Sequence, residues 1–490
     1  EIYTLSLHDA LPICFNFSVG KKNKTVNRAG GNAFVQSPEM QLASLLLTSF
    51  AQDQFYRDTK QTFSDLSALL AKVNPEFAAK AAVYARTEFG MRSITHILAA
   101  ELGMYASGKA WGKAFYEKIV LRPDDMTEIA SLMLAENGAK LPNALRKGFA
   151  KAFDKFDGYQ LAKYRAEGKA VKLVDLVNLV RPVPVARNAE ALRQLTAGEL
   201  RNTDTWEAKL TKAGATAETD AEKAELKAEA WAELLRTRKI GYFALLRNLR
   251  NIAEQAPELV PTACELLTDE RLIRKSLVLP FRFSTALEAL ETANIADKRP
   301  LVKALNRAVD LSLANVPVLP GRTLVVLDDS GSMMGRPIQV GSMFAAVLYR
   351  SNDADLMRFS DSASYLRQNP DNPVMTIAEA LVKNAYMAGT NFNAIFEKAK
   401  RAYDRIIILS DMQGWVGGGA PTKAFADYKA RYNADPFVYS FDLQGYGSLQ
   451  FPESKVFAIA GFSEKVLELM GQLERDPQAL IRAIEAVELA

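Results

Sequence analysis

Five oxygen-bearing side chains in the C-terminal third of the chain have the types and the order expected of a site for a hard metal ion. Carboxylates and hydroxyls suit Mg²⁺ or another hard divalent cation in near-octahedral geometry, and no soft donor accompanies them. Three lie in an Asp-x-Ser-x-Ser loop after a β-branched run, and the others adjoin later sheet elements. In an open parallel sheet, ligands collect at the carboxyl ends of the strands. The predicted metal ligands are Asp328, Ser330, Ser332, Thr390 and Asp411.

A catalytic interpretation of the same loop is less well supported. A phosphatase-like nucleophile at Asp328 needs a second carboxylate two residues later as acid and base, where this chain has Ser330. The chain has no Gly-x-x-x-x-Gly-Lys-Ser/Thr phosphate loop, and His96, a partner for a Ser or Cys nucleophile, lies far away in the helical part. We therefore predict a binding site and no enzyme, with a metal-dependent phosphohydrolase as the alternative. Four further acids are expected to be solvated or to cap turns: Asp329, Asp353, Asp355 and Asp361.

Positive charge is concentrated before residue 320. Residues 321–490 carry 17 Lys+Arg and 20 Asp+Glu, so that of the 61 and 57 in the whole chain residues 1–320 hold 44 and 37, a net charge of +7. The balance becomes +9 when Glu1 and Asp9 are set aside. The overall net charge of +4 therefore hides a basic part beside a mildly acidic one, as expected if one module contacts phosphate.

The basic residues of this part cluster and have aromatic side chains among them that could stack on unpaired bases. Any single cation is more simply explained as part of a solvated helix face, but the group predicts a surface that contacts RNA. Arg92 and His96 share one helix and face either RNA or a neighbouring helix through a hydrogen bond. The other predicted RNA-binding residues are Lys163, Tyr164, Arg165, Lys172, Arg181, Arg187, Arg247 and Arg250.

Two kinds of secondary structure must position these residues. From Val35 to about Pro317 the apolar spacing is helical with short turns, which favours paired helices stacked as a solenoid. Beyond Pro320 short β-branched runs alternate with helices, which predicts a parallel, doubly wound α/β domain. We predict a helical domain over 15–319, with a solvated helical insertion at about 204–239, and an α/β domain over 320–490. The predicted strands are 323–327, 354–359, 405–409, 436–441 and 455–459.

Composition limits the remaining possibilities. With 490 residues, 49% of them apolar, the chain can bury several cores, and it contains no apolar run of about 18 residues that could span a membrane. Cys14 and Cys264 cannot form a disulfide framework, so a reducing compartment, the cytoplasm, is expected. Residues 1–14 begin with Glu and resemble the translation of a sequencing adapter, a scar expected to be disordered. A signal peptide is the alternative, although Asp9 would interrupt its apolar core.

The metal loop with its two later partners resembles the metal-ion-dependent adhesion site of von Willebrand factor A domains. Several helical segments resemble the TROVE module, and a TROVE module followed by such an A domain defines the Ro autoantigen family of RNA-binding proteins and its bacterial relatives. The resemblance covers roughly residues 26–490. The segments that carry it are Tyr84–His96, Lys163–Arg165, Ala244–Leu249 and Pro280–Phe283.

This resemblance implies a monomeric, closed ring of HEAT-like helical repeats held together by the A domain, with Mg²⁺ in the metal site. It implies small non-coding Y-like RNA on the basic outer surface, single-stranded 3′ ends of structured or defective RNA in a central hole, and a role in RNA quality control or processing. Where the family has Trp-Ser-His-Lys, this chain reads Ala170–Leu173, which keeps Lys172 but lacks the histidine. Arg247 and Asn248 match the family, and a buried pair tying helices together is the other interpretation.

The alternative function is a metal-dependent protein–protein adhesion or adaptor module that acts through the A domain. In that case the metal site would bind a partner carboxylate, for instance on an exoribonuclease or another protein.

Overall fold

The computed structural model describes residues 24–26, 32–34, 37–48, 59–137, 141–201, 210, 219–238, 240–352, 354–412, 414, 422–443, 455–460, 466–476 and 479–489. The predicted scar lies outside these residues, as do 204–209, 211–218 and 239 of the predicted insertion, and Asp353.

Helices account for most of the described residues between 38 and 312, as the apolar spacing predicts. In chain order they are α1 Pro38–Thr48, α2 Thr59–Leu70, α3 Pro75–Thr87, α4 Ser93–Glu101, α5 Gly103–Ala106, α6 Trp111–Ile119, α7 Pro123–Asn137, α8 Asn143–Ala152, α9 Gly158–Lys163, α10 Leu173–Val180, α11 Ala189–Ala197, α12 Asp220–Arg236, α13 Tyr242–Gln255, α14 Val260–Leu267, α15 Glu270–Ser276, α16 Arg282–Glu291 and α17 Arg299–Ser312.

Local sequence explains where individual helices begin. At α3 the Asn74 Oδ1 accepts a hydrogen bond from the Glu76 backbone N–H at 2.9 Å, and Pro75 occupies the first turn, where a missing N–H costs nothing. At α9 Asp157 and Gln160 form a reciprocal capping box. Ahead of the helices, Lys24–Val26 (β1) and Asn32–Phe34 (β2) form an antiparallel pair that the sequence did not predict.

In the part of the chain described after residue 312, a six-stranded sheet is accompanied by six further helices. Its strand order is β5-β4-β3-β6-β7-β8, and every neighbouring pair is parallel except β4–β5. The strands are β3 Thr323–Asp328, β4 Asp355–Phe359, β5 Ala363–Leu366, β6 Arg405–Ser410, β7 Phe437–Asp442 and β8 Val456–Ala460. The helices are α18 Arg336–Asn352, α19 Val374–Lys383, α20 Asn393–Lys398, α21 Thr422–Tyr432, α22 Val466–Arg475 and α23 Ala479–Glu485.

The prediction of a wholly parallel sheet is wrong at one edge. Only a three-residue turn joins β4 to β5, with the Ser360 N–H bonded to the Ser362 carbonyl at 2.9 Å, and so short a connection allows only antiparallel pairing. The sequence does not predict β5, because Ala363–Leu366 is half-exposed at every position and lacks an apolar run.

The central strands bury side chains on both faces, since successive residues point to opposite sides of a sheet. One face carries Leu327 and Leu409, which belong to the same apolar core as α18 and the helical region. The other carries Val326 and Ile408, which form a separate core with α20 and α21. The sheet therefore shares one of its two cores with the helices that precede it.

Both ends of the helical region rest on the sheet region. At one end, α1 packs beside β8 and α23 packs on α3, where Lys80 Nζ donates to the Glu485 carbonyl at 2.8 Å. At the other end α17 packs on α19, and Arg350 Nη1 on α18 bonds Asp310 at 3.0 Å. The chain thus closes on itself, with the sheet bridging the first and last helices.

A buried arginine fixes the start of the sheet to its final helices. Arg405, 1% exposed at the start of β6, donates to Thr323 Oγ1 at 2.8 Å and to the Pro320 carbonyl at 3.0 Å. Its guanidinium also makes a two-pronged ion pair with Glu474 on α22. Among the described residues, no helix is long and apolar enough to cross a membrane.

The close crossing of α6 and α8 generates the first prediction. A Cβ at Gly148 would lie 2.5 Å from Tyr116 Cβ and 2.6 Å from the Lys113 carbonyl, so we expect Gly148→Ala to lower the free energy of unfolding by about 1–3 kcal/mol. Gly471 on α22 has nothing within 4 Å of the same atom, and Gly471→Ala should instead add about 0.5–1 kcal/mol. Denaturant titration of both variants tests the pair, and equal effects would contradict the crossing described above.

Candidate functional site

The five predicted metal ligands occupy one edge of the sheet. β3 ends at Asp328 and runs into a turn at Gly331–Met333, while the neighbouring parallel strand β6 ends at Ser410, immediately before Asp411. Because the two strands are parallel neighbours, their carboxyl ends meet. Asp328, Ser330, Thr390 and Asp411 are at most 1% exposed, and Ser332 alone is exposed.

Short polar contacts organise this edge. Asp328 Oδ1 accepts from the Ser330 backbone N–H at 2.9 Å, and Oδ2 accepts from the Ser410 hydroxyl at 2.5 Å. The hydroxyls of Ser330 and Ser332 lie 3.2 Å apart. The two serines of the loop and the first aspartate therefore form one connected group.

A second loop, residues 386–391, is bonded alongside the first and positions Thr390. The Met387 N–H donates to the Asp329 carbonyl at 2.7 Å, and the Gly331 N–H donates to the Ala388 carbonyl at 2.9 Å. A Cβ at Gly331 would lie 3.3 Å from the Met387 carbonyl oxygen, so the loops approach closely at a residue without a side chain.

Sequence reasoning missed the role of Asp329 at this edge. Asp329, expected to be solvated or to cap a turn, is 2% exposed, and its Oδ2 accepts from the Tyr386 N–H at 3.1 Å. Its Oδ1 has no hydrogen-bond partner within the described part of the chain, and Arg358 Nε lies 4.0 Å from Oδ2. Asp329 thus holds the second loop in place, a role that depends on residues far along the chain and leaves no local sequence signal.

The electrostatics of the edge fit a bound cation. Burial, and then the negative charge of Asp411, raise the pKa of Asp328 to about 7. Two buried carboxylates this close repel each other, and a hard divalent ion would relieve that repulsion. The described residues contain no cluster of three or more His, Cys, Asp or Glu, so hydroxyls would have to complete the ligand set. The residues present suit Mg²⁺ in their chemistry.

Backbone strain adjoins the same edge. Met387 and Met412 adopt left-handed conformations with φ of 55° and 58°, which non-glycine residues rarely do at a cost of about 1–3 kcal/mol each. Met412 follows Asp411 directly, and its N–H is bonded to Ser410 Oγ at 2.9 Å. The protein therefore maintains strained backbone next to Asp411 and within the loop that carries Thr390.

The predicted RNA-binding residues of the middle helices flank a loop between α9 and α10. Lys163 ends α9 and Lys172 precedes α10, and both are exposed. Arg181 and Arg187 are exposed on the segment that follows α10. Among the described residues, no carboxylate oxygen lies within 4 Å of a side-chain nitrogen of any of these four cations.

Two residues of the motif are used within the fold. Arg165, with a side chain 18% exposed, donates from Nη1 to the Leu200 carbonyl, and its own carbonyl accepts from the Leu173 N–H at 3.0 Å. The Tyr164 ring packs under the Arg122 guanidinium, whose Cζ lies 4.4 Å from the ring centre. Arg165 thus anchors the loop, a role that the prediction of direct RNA contact did not include.

The prediction that His96 contacts RNA is wrong, and its alternative of an interhelical contact is correct. His96 is 1% exposed, its Nδ1 lies 2.9 Å from Glu128 Oε2, and its Nε2 lies 3.2 Å from Asp125 Oδ1 without hydrogen-bond geometry. Arg92 reaches the same helix, α7, through Asp124 at 2.7 Å, Asp125 at 2.8 Å and Glu128 at 2.9 Å. Its guanidinium therefore binds protein carboxylates.

Asp125 is the centre of this network. Burial alone would raise the pKa of Asp125, but the adjacent His96 ring and the Arg86 guanidinium, 2.9 Å away, hold it well below its usual range. The same carboxylate accepts backbone N–H bonds from Leu121 and Arg122 at 2.9 Å. Arg122 carries the guanidinium that covers Tyr164, so the network reaches the basic loop.

Arg247 and Arg250 lie exposed on α13. Asn248 is buried, and its Nδ2 donates to the Ala244 carbonyl of its own helix at 2.8 Å. The alternative of a buried Arg247–Asn248 pair tying helices together is therefore wrong, because the arginine points to the surface.

Comparison with known proteins identifies the helical region. A family model for the TROVE domain matches residues 33–227 and 198–316. Telomerase protein component 1 of Rattus norvegicus is 32% identical over 140 residues, which are 26% of this chain and 5% of that protein. The Mus musculus protein of the same name is 24% identical over 353 residues, 52% of this chain and 13% of that protein. The chain therefore spans a small part of these relatives.

Among solved structures, the Ro (RSR) protein of Deinococcus radiodurans superposes with a TM-score of 0.62 at 19% identity, covering 90% of this chain and 99% of that one. The shared architecture confirms the predicted fold class, helical repeats followed by an α/β sheet region.

The Asp125 network generates the second prediction. We expect Asp125→Asn to lower the free energy of unfolding by about 3–5 kcal/mol at neutral pH, because it leaves buried cations without their partner. A folded-state pKa below the unfolded value of about 3.9 contributes stability above that pH and loses it in acid, so the variant should also show a weaker loss of stability as the pH falls below about 4.

Denaturant titrations across the acid range measure both effects. Glu190→Gln, which breaks the exposed pair with Arg193, is the control and should change stability little. If the free energy of unfolding of Asp125→Asn fell as steeply in acid as that of the parent, the role assigned to this carboxylate would be ruled out.

Proposed function

The chain belongs to the TROVE domain family, the family of Ro-type RNA-binding proteins, and from this premise we propose that it binds a small structured, Y-like RNA through the loop between α9 and α10 and the segment after α10. Members of this family bind RNA and are not enzymes, in agreement with the non-catalytic interpretation of the sequence.

One observation carries the proposal: the fold uses some arginines internally and leaves other cations for a ligand. Arg92 and Arg165 are engaged with protein oxygens, whereas Lys163, Lys172 and Arg181 are exposed and have no carboxylate within 4 Å among the described residues. Phosphate contacts by Lys and Arg supply most of the affinity in RNA binding and make it salt-dependent. The Tyr164 ring, which packs against the Arg122 guanidinium, could stack on an unpaired base.

The proposal extends to a second class of RNA. Closure of the helical region by the sheet supports a ring into which the single-stranded 3′ end of a structured or defective RNA is inserted, with a role in RNA quality control or processing. Insertion of an end would select RNAs with unpaired termini, because a duplex is wider and stiffer than a single strand.

A second candidate function, docking of a protein partner, is favoured by the surroundings of the metal site. Met334 and Tyr386 belong to the two loops of this edge and are 66% and 67% exposed, more than apolar side chains of that size usually are. We propose that Asp328, Ser330, Ser332, Thr390 and Asp411 hold Mg²⁺, which when bound supplies a Lewis-acidic position for an acidic side chain of the partner. An exoribonuclease is one such partner.

The RNA proposal predicts that reversing exposed charges abolishes binding. The triple variant Lys163→Glu, Lys172→Glu, Arg181→Glu should lose detectable gel shift of RNA that copurifies with the parent. Single variants should lower the magnitude of the slope of log affinity against log salt by roughly 0.7–0.9 each. Lys423→Glu, on the exposed surface of α21, is the charge-matched control for the single variants. Retention of full affinity by the triple variant would contradict the proposal.

The metal proposal predicts how Asp328→Asn and the parent differ in thermal stability, first in chelator and then with added Mg²⁺. In chelator, Asp328→Asn should unfold at a higher temperature than the parent at neutral pH, because the raised pKa of Asp328 means that stability is lost as the pH rises from about 4 to 7. Added Mg²⁺ should raise the midpoint of the parent and leave that of the variant unchanged.

Thermal melting with and without Mg²⁺ makes this measurement, with the exposed Asp371→Asn as the control. If added Mg²⁺ left the melting temperature of the parent unchanged, the metal site would be refuted. RNA binding by Asp328→Asn should remain normal, which separates the metal site from the RNA-binding surface.

A further inference from the structure

A basic groove lies where the last helix of the helical region meets the sheet region. It encloses about 560 Å³ between α17 and the residue that precedes α19, a size in the range of ligand sites. We name it the junction groove. Its lining includes Lys298, Val302, Lys303, Arg307, Asp310 and Pro373.

Three of the four cations that line the junction groove follow one row of the helix. Arg299, Lys303 and Arg307 are four residues apart, so they lie on the same face of α17 at intervals of about 6 Å. A row of evenly spaced charges suits a strand that carries regularly spaced negative charges. A single phosphate group is better bound by cations that converge on one point.

The charges of the groove do not cancel within the protein. Its carboxylate, Asp310, is already occupied, because Arg350 Nη1 bonds it at 3.0 Å and the Val374 N–H at 2.9 Å. Arg299 is paired with Asp297 at 2.8 and 2.9 Å. Lys303 and Arg307 are exposed and form no ion pair within 4 Å among the described residues.

Like charges four residues apart on a helix destabilise it slightly. The fold tethers the one acid of the groove elsewhere and leaves Lys303 and Arg307 facing each other's charge. A bound polyanion would remove that repulsion, and the lining shows what kind of polyanion fits.

The groove also has an apolar wall, formed by Val302 beside the cations and Pro373 across from them. Val302 is half-buried on the same helix, and Pro373 is exposed across the groove. Unpaired bases can lie on such a surface, whereas bases stacked inside a duplex cannot. Inorganic polyphosphate would use the cations and gain nothing from the apolar wall.

We propose that the junction groove binds a single-stranded RNA segment, with its phosphates at Lys303 and Arg307 and a base against Val302 and Pro373. The choice of RNA rests on the proposed function, but the residues are separate from those around the α9–α10 loop. A strand bound here would contact the helical region and the sheet region at once.

The test compares two RNAs on one set of variants. A short fluorescein-labelled oligouridylate and the copurified structured RNA are titrated against the parent protein and against Lys303→Glu/Arg307→Glu. We expect oligouridylate binding to weaken by about tenfold or more and the magnitude of its salt slope to fall by about 1.4, since two phosphate contacts are lost, with structured RNA unaffected. The control is Lys109→Glu/Lys423→Glu, which reverses two exposed charges outside the groove.

Further arms separate the competing explanations. Val302→Ser should weaken oligouridylate binding without changing the salt slope, because it alters only the apolar wall. Inorganic polyphosphate and polyglutamate should compete poorly at equal charge. Circular dichroism melts of each variant check folding, and Lys303→Gln/Arg307→Gln repeats the test without added acids.

The outcomes are distinct. Unchanged oligouridylate binding in Lys303→Glu/Arg307→Glu and in Lys303→Gln/Arg307→Gln, or an equal loss of both RNAs, would overturn the groove proposal. Polyphosphate or polyglutamate competing as well as oligouridylate would overturn its assignment to a nucleic-acid strand. Failure of the structured RNA to bind the parent, with oligouridylate still lost on mutation of the groove, would count against the proposed function alone.

Discussion

The helical region has two ends, and the structure depends on covering both. An array of stacked helices leaves an apolar face at each end, which repeat proteins usually cover with polar capping repeats. Here the sheet region does this for both ends, through α23 on α3 and α19 on α17, and it shares its larger core with the helices. The sheet thereby fixes the first and last described helices relative to each other, and the helices between them pack against their neighbours.

Within this frame, the partners of the arginines determine which parts of the positive charge can reach a ligand. Arg86 and Arg92 are engaged with the Asp125 network, and Arg405 is engaged between β6 and α22. These side chains hold helices and strands together and offer little to solvent. The cations at Lys163, and in the row of α17, are exposed instead. A net charge counted from the sequence cannot separate the two groups, although their functions differ.

Sequence alone predicted the features that depend on neighbouring residues. The Asp328–Ser332 loop and the helical and α/β parts follow from short patterns and apolar periodicity, and the fold comparison confirms the order of those parts. The buried position of His96 depends on carboxylates about thirty residues away, so periodicity could not reveal it. β5 and the role of Asp329 likewise arise from contacts between distant segments. Where two possible roles of a residue differ only in which group it contacts, the tertiary structure is needed to choose between them.

The contact between Lys80 and the Glu485 carbonyl joins residues 405 positions apart. Contacts of such long separation form late, since the entropy of closing the intervening chain must be overcome first. During synthesis the apolar side chains of α1 and α3 that contact α23 and β8 therefore remain exposed to solvent until those later elements have been synthesised. During that interval the nascent chain is open and prone to aggregate, which makes timely completion of translation a condition for recovering the closed protein.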